Sequence, residues 1–167
     1  MFQQGEYVVY SDTGLCLVEQ IGVPDFSVSD RNVPYYFLRS TEDGSRIYVP
    51  VDTRIPMRAP MTSAEAEQLL SSLPDLPVSP PGSRDRKAVV QHYQAMLRPH
   101  TSQALAQTVK SIHCCRRSMP GRMGSAEETL LKRAEHQLCS ELACALHLSE
   151  ADASARLTAA LSQSREN

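Results

Sequence analysis

No tryptophan occurs among the 167 residues, and aromatic residues of any kind make up only 5% of the chain. Its cores must therefore be built from Leu, Val, Ile, Ala and Met. No apolar run approaches the roughly 20 residues that span a bilayer, which excludes a membrane helix. The opening residues MFQQGEYVVY lack a basic segment followed by an apolar one, so a secretory signal is not expected and the protein is placed in the cytoplasm. There is no Cys-x-x-Cys pair. The five cysteines, Cys16, Cys114, Cys115, Cys139 and Cys144, are odd in number and irregular in spacing. Reduced, mostly buried thiols fit this better than a disulfide framework. Nucleotide-loop, nucleophile-elbow, dinucleotide and zinc-protease motifs are all missing. His113, His136 and the cysteines near them do not fall at metal-ligand spacing. Neither an enzyme, a cofactor, a small-molecule substrate nor a metal site is expected.

What is present divides the chain in two. Apolar residues at 41% and charged residues at 22% give an ordinary globular composition. The net charge of −2 conceals an asymmetry. Residues 1–78 carry 5 Lys and Arg against 11 Asp and Glu, whereas residues 79–167 carry 12 against 8. Between 83 and 133 the count is 10 basic to 3 acidic. Opposite charges on the two halves point to two modules with different partners.

The first half reads as strands. Gly5–Tyr10, Leu15–Gly22, Val33–Ser40 and Arg46–Val51 are short and rich in β-branched and aromatic residues. Ser-Asp-Thr-Gly at 11–14 and Glu-Asp-Gly-Ser at 42–45 are turn sequences between them. Four strands without a crossover helix predict a small antiparallel barrel or half-barrel. Val8, Val9, Leu17, Val18, Ile21, Phe37, Leu38 and Ile47 are its expected core, with Phe2 and Tyr10 as packing residues. Of Tyr35 and Tyr36, neighbours on a strand, only one can face the core.

The second half reads as helices, making the whole an α+β chain, strands first. Thr62 with Glu65 is a capping box opening a short helix to about Leu73. Residues 74–83, PDLPVSPPGS, hold four prolines and a glycine and read as a stiff linker. Beyond it, Val89, Val90, Tyr93, Met96 and Leu97 recur at helical spacing within 83–98, as do Leu105, Val109 and Ile112 within 101–117. Ser125 with Glu128 is read as a second capping box, and Ser149 with Asp152 as the cap of a last helix. The domains are thus 1–60, a short helix and linker at 61–83, and a helical domain at 84–163.

The basic stretch carries the strongest chemical signal. Arg84, Arg86 and Lys87 lie at one helix start, Lys110, Arg116, Arg117 and Arg122 at the end of the next, and Lys132 and Arg133 near a third. Gathered on one surface, such groups neutralise phosphates and release counterions. With Tyr93 as the one aromatic there, stacking on single-stranded bases is not expected.

The order of elements resembles a known family. Phe2-x-x-Gly5-Glu6-Tyr7-Val8-Val9-Tyr10, then Gly14, Val18–Ile21, Tyr35–Leu38 and Ile47–Val51 are similar to the N-terminal module of CarD/CdnL transcription regulators. That module is shared with the transcription-repair coupling factor, and the likeness continues into the helices of 83–146. The resemblance implies a Tudor-like N-terminal domain that binds the β subunit of bacterial RNA polymerase through an edge strand. It also implies a helical domain on promoter DNA, largely independent of sequence, that modulates open-complex stability in the cytoplasm near the nucleoid, without catalysis. Carried over to this chain, the polymerase contacts are Arg46, Tyr48 and Arg54. The DNA contacts are Arg84, Arg86, Lys87, Arg116, Arg117 and Arg133. Many members place a tryptophan at the start of the first helix of the second domain, as a wedge at the edge of melted DNA; here Arg86 stands near that place. The alternative is a protein–protein adaptor docked on polymerase without DNA binding.

Overall fold

The computed structural model describes residues 1–28, 32–121 and 123–164; Arg122 lies outside the described residues. The chain forms two compact units, Met1–Pro60 and Met61–Asn167.

The first unit is a curled antiparallel half-barrel, as the strand pattern predicts. Its strands are β1 (Tyr7–Tyr10), β2 (Gly14–Gly22), β3 (Tyr35–Ser40), β4 (Arg46–Pro50) and β5 (Met57–Arg58), in the order β4-β3-β2-β1-β5. The two-residue β5, too short to leave a periodic signal, pairs Val9 with Arg58 and Tyr10 with Met57. Gly44 closes the β3–β4 hairpin with φ near +70°, a region that disfavours a side chain. The Gly44 N–H donates to Ser40 at 3.0 Å, and the Ser45 N–H to the Asp43 carboxylate at 2.9 Å.

Val8, Cys16, Val18, Tyr36, Leu38 and Val49 form the core, flanked by Phe2, Tyr10, Ile21, Ile47, Val51 and Met57. Tyr36 is thus the inward member of its pair, and its hydroxyl accepts the Phe2 N–H at 3.2 Å. Leu17 and Phe37, expected in the core, are only half-buried, and Val9 is buried but apart from the cluster around Val8. The two-residue side-chain period turns Phe37 away from the face that Tyr36 and Leu38 share, and sets Val9 and Leu17 opposite Val8 and Val18 in the same way.

The second unit holds five helices: α1 (Ser63–Ser72), α2 (Arg86–Leu97), α3 (Ser102–Ser118), α4 (Ser125–Leu146) and α5 (Glu150–Ser162). The capping box at α1 is complete, with the Glu65 N–H on the Thr62 hydroxyl at 3.2 Å and the Thr62 N–H on the Glu65 carboxylate at 2.7 Å. Ser149 caps α5 through the Asp152 N–H at 3.1 Å. At α4 the expected Ser125–Glu128 box does not form, because the helix starts one residue earlier than a Ser125 cap requires. Gly124 is the cap, without a side-chain cap hydrogen bond, while Glu128 pairs with Lys132 one turn on at 3.6 Å.

Tyr93, Ala106, Val109, Ile112, Leu138 and Leu142 are fully buried at the centre of this unit. Met61, Ala66, Leu70, Leu73 and Leu76 belong to the same core. The segment read as a linker is therefore not free. It runs as a strap along α3, where the buried Lys110 ammonium donates to the carbonyls of Pro74, at 2.7 Å, and Leu76. The Ser79 N–H donates to the Ser111 hydroxyl at 3.0 Å. Prolines suit such a strap: they keep the chain extended, and they bring no N–H that burial would leave unpaired.

Candidate functional site

Each unit carries one candidate surface. In the first, among the described residues β4 is hydrogen-bonded to β3 alone and so leaves one edge of the sheet open. Ile47 and Val49 turn inward from it, and Arg46 and Tyr48 outward. Tyr48 is 37% exposed and stands between two rings, Phe37 at 5.0 Å and Phe26 at 4.6 Å between centroids, both edge-on. Aromatic rings locked edge to face keep their apolar surface at little entropic cost. Beside them Glu19 ion-pairs with Arg39 and, at 3.2 Å, with Arg46. The register shift between Val18 and Gln20 releases Glu19 from strand pairing. The hydrogen bond from Arg39, reinforced by both guanidinium charges, holds the Glu19 carboxyl below the usual carboxylate range. Arg54 is exposed in the segment between β4 and β5.

Phe26, Phe37 and Glu19 were not legible as site residues. Phe26 sits in a segment without periodicity, and Phe37 reads as core by composition. A pairing partner two strands away is decided by register alone.

Residues 2–59 match the family model described as the CarD-like/TRCF RID domain. The N-terminal unit is a CarD-like/TRCF RNA polymerase-interacting domain. No curated protein matches the chain. The aromatic patch and the Arg46–Glu19–Arg39 cluster thus reach from the open strand β4 across β3 and β2 of an RNA polymerase-interacting domain.

In the helical unit the basic residues do not form one continuous set. Arg84, Arg86 and Arg116 border a single groove of about 590 Å³ among the strap, α2, the end of α3 and the start of α4. Among the described residues none of the three has an ion-pair or hydrogen-bond partner. Lys87 opens instead on a second, smaller groove of about 410 Å³, which shares Arg86 and Glu127 with the first. Asp85 caps α2 by accepting the Ala88 N–H at 3.0 Å, which fixes where Arg86 and Lys87 leave the helix. Arg117 points elsewhere and donates to the Leu161 carbonyl at the end of α5, at 3.0 Å. Arg133 is exposed on α4, away from both grooves. Lys110, counted with the basic stretch, is fully buried under the strap and presents no charge to a partner.

His113 hydrogen-bonds Glu135, and among the described residues no three metal-ligating side chains come together. All five cysteines are free thiols. Burial raises Cys16 to about 11 and also raises Cys139 and Cys144, which keeps these three protonated. Among the described residues no helix is long and apolar enough to cross a membrane.

Proposed function

We propose that this chain is a cytoplasmic, bacterial CarD-like transcription regulator that acts by binding, without catalysis. The first unit docks on the polymerase β subunit along β4, with Tyr48 and its flanking rings as the apolar anchor and Arg46 beside them. Edge-strand docking supplies main-chain hydrogen bonds, and outward side chains supply the choice of partner. The helical unit holds promoter DNA through its phosphates. The observation that carries this part is the convergence of Arg84, Arg86 and Arg116, three cations without partners among the described residues, on one side of a unit joined to a polymerase-interacting domain. Contacts made to melted, polymerase-bound DNA and absent from closed DNA shift the balance between the two states. A difference of about 1–3 kcal/mol changes open-complex occupancy about 5–150-fold.

Salt dependence tests the DNA half. Each Arg→Ala substitution at 84, 86 or 116 removes one cation from the phosphates. It is expected to flatten the slope of log affinity against log salt by about 0.9 on duplex DNA. If duplex affinity is undetectable at low salt, and charge reversal leaves promoter complexes unchanged, the helical unit is a protein-docking module instead.

A further inference from the structure

Cations are not the whole of the outer face of α2. Along it Lys87, Gln91, Gln94 and Arg98 follow one another at spacings of four, three and four residues. At about 100° per residue these positions fall within an arc of roughly 60°, so they form one stripe. All four are exposed, whereas Val89, Tyr93 and Met96, on the opposite side of the helix, pack into or against the core. Arg98 caps the helix with helical dihedrals, so the stripe runs its full length. Among the described residues none of the four has an ion-pair or hydrogen-bond partner. The stripe adjoins the three arginines already described. Arg86 borders their groove and also the smaller one, which Lys87, Gln91 and Gln94 line.

A solvated face in this chain has a different make-up. On α4 Glu128 pairs with Lys132, and Arg156 of α5 is held by Glu67 of α1 at 2.7 and 2.9 Å. From Arg86 to Leu97, α2 has no acidic residue. Glu127, the one acid lining the smaller groove, belongs to α4 and not to the stripe. The order along the stripe is cation, carboxamide, carboxamide, cation. A phosphate is served best by the cations. A carboxamide sets donors and an acceptor side by side without charge, and this matches a base edge that offers an acceptor beside an amine. The outer cations are eleven residues apart, about 16 Å along the helix axis. The major groove of DNA is about 12 Å wide and admits a helix, whereas the minor groove, at about 6 Å, does not. A helix of this kind set in the major groove brings its end cations to the phosphates of the two strands and its middle over the bases.

We propose that α2 reads bases: it enters the major groove of duplex DNA and gives the chain a preference for adenine. Gln91 and Gln94 donate a carboxamide N–H to adenine N7 and accept the N6 amine on the carboxamide oxygen. Lys87 and Arg98 hold the flanking phosphates. The inference rests on the DNA reading above and goes beyond it, because phosphate contacts by themselves carry no sequence information.

Duplex binding by the full chain at low salt tests it, with a second duplex in which every adenine is replaced by 7-deazaadenine. That base keeps its pairing, its amine and its minor-groove edge, and lacks only the N7 acceptor. The wild-type chain is expected to bind the modified duplex at least about fivefold more weakly. Gln91→Ala with Gln94→Ala should bind the two duplexes equally and keep the salt slope, because no charge is lost. Lys87→Ala or Arg98→Ala should keep the discrimination and flatten the slope by about 0.9. Alanine is the best helix former, so these exposed substitutions leave α2 intact, which circular dichroism confirms. Equal binding of both duplexes by the wild-type chain, or discrimination that survives the loss of both glutamines, overturns the proposal and leaves the phosphate reading standing. Binding that the minor-groove ligand netropsin abolishes, with no effect of 7-deazaadenine, overturns it too. Undetectable duplex affinity at low salt overturns it outright, and the arginine variants described above then decide the phosphate reading separately.

Discussion

Two basic residues show how far position outweighs type. Lys110 and Arg86 lie in the same cationic stretch, yet one is sealed in the helical core and the other is exposed. The Lys110 ammonium satisfies two strap carbonyls, and removing it leaves the buried Leu76 carbonyl and the half-buried Pro74 carbonyl without that donor. Lys110→Met keeps the stem but not the donor, so it should destabilise the helical unit by about 1–3 kcal/mol per orphaned carbonyl. Thermal unfolding checks this, and an unchanged midpoint would mean that the strap carbonyls find water. Arg86 opens α2 with its stem beside Gly124. A guanidinium there attracts phosphates and groove acceptors, whereas an apolar ring can compensate for base-step unstacking that costs a few kcal/mol. On the promoter reading, Arg86→Trp should lengthen the half-life of heparin-challenged open complexes formed with the cognate polymerase. Arg86→Ala should lower DNA affinity in a salt-screened manner. If Arg86→Trp has no effect on lifetime and Arg86→Ala abolishes activity, Arg86 acts only as a backbone contact.

At the level of elements, both the open strand β4 and the helix ends are set by local backbone chemistry. The α4 helix stops at His147, which takes the left-handed conformation with φ near +54°. Its N–H donates to the Ala143 carbonyl, and the Leu148 N–H reaches the same oxygen at 3.0 Å. A side chain in this conformation carries a strain of roughly 1–2 kcal/mol that glycine does not. Against it stands the greater unfolded-state freedom of glycine. His147→Gly should therefore raise stability by up to about 1 kcal/mol, read as a shift in denaturant midpoint without a change in slope. A loss of stability would show instead that the imidazole contributes packing that outweighs the strain.

For the whole molecule the division into two units gives a prediction that neither unit gives alone. Arg46→Glu with Tyr48→Ala alters an outward face of the β unit and spares its core residues Ile47 and Val49. It should weaken binding to the polymerase β subunit, by tenfold or more if Tyr48 is a buried anchor of the kind that dominates interfaces, and leave salt-dependent DNA affinity unchanged. Charge reversal at Arg84, Arg86 and Arg116 should do the converse. Substitutions that share no partners add, so the combined variant should lose both activities independently. A DNA-binding defect in the Arg46/Tyr48 variant, with the fold intact by circular dichroism, would remove the assignment of one partner to each unit.

The sequence by itself determined what is periodic or local. Strand alternation and turn residues specified the half-barrel, and the boxes at Thr62 and Ser149 specified two helix starts, because each depends on residues within a few positions of one another. Charge arithmetic separated the halves, and the ordered strand motifs pointed to the polymerase-interacting domain. Tertiary structure alone decided the rest. It packed the segment 61–83 against the helical core, because burial of Leu70, Leu73 and Leu76 and the bonds from Lys110 outweigh the flexibility that a proline-rich composition suggests. Register decided that Phe37 flanks Tyr48 and that Glu19 meets two arginines, and the path of the β2–β3 connection brought Phe26 to the other side of Tyr48. The packing of α2 against α3 and α4 divided one basic stretch into three rim cations, one buried structural lysine and one helix-end arginine. Charge is a property of composition, but whether a charge faces water, a carbonyl or a groove depends on partners 20, 36 or 44 positions away, as for Arg39, Lys110 and Arg117.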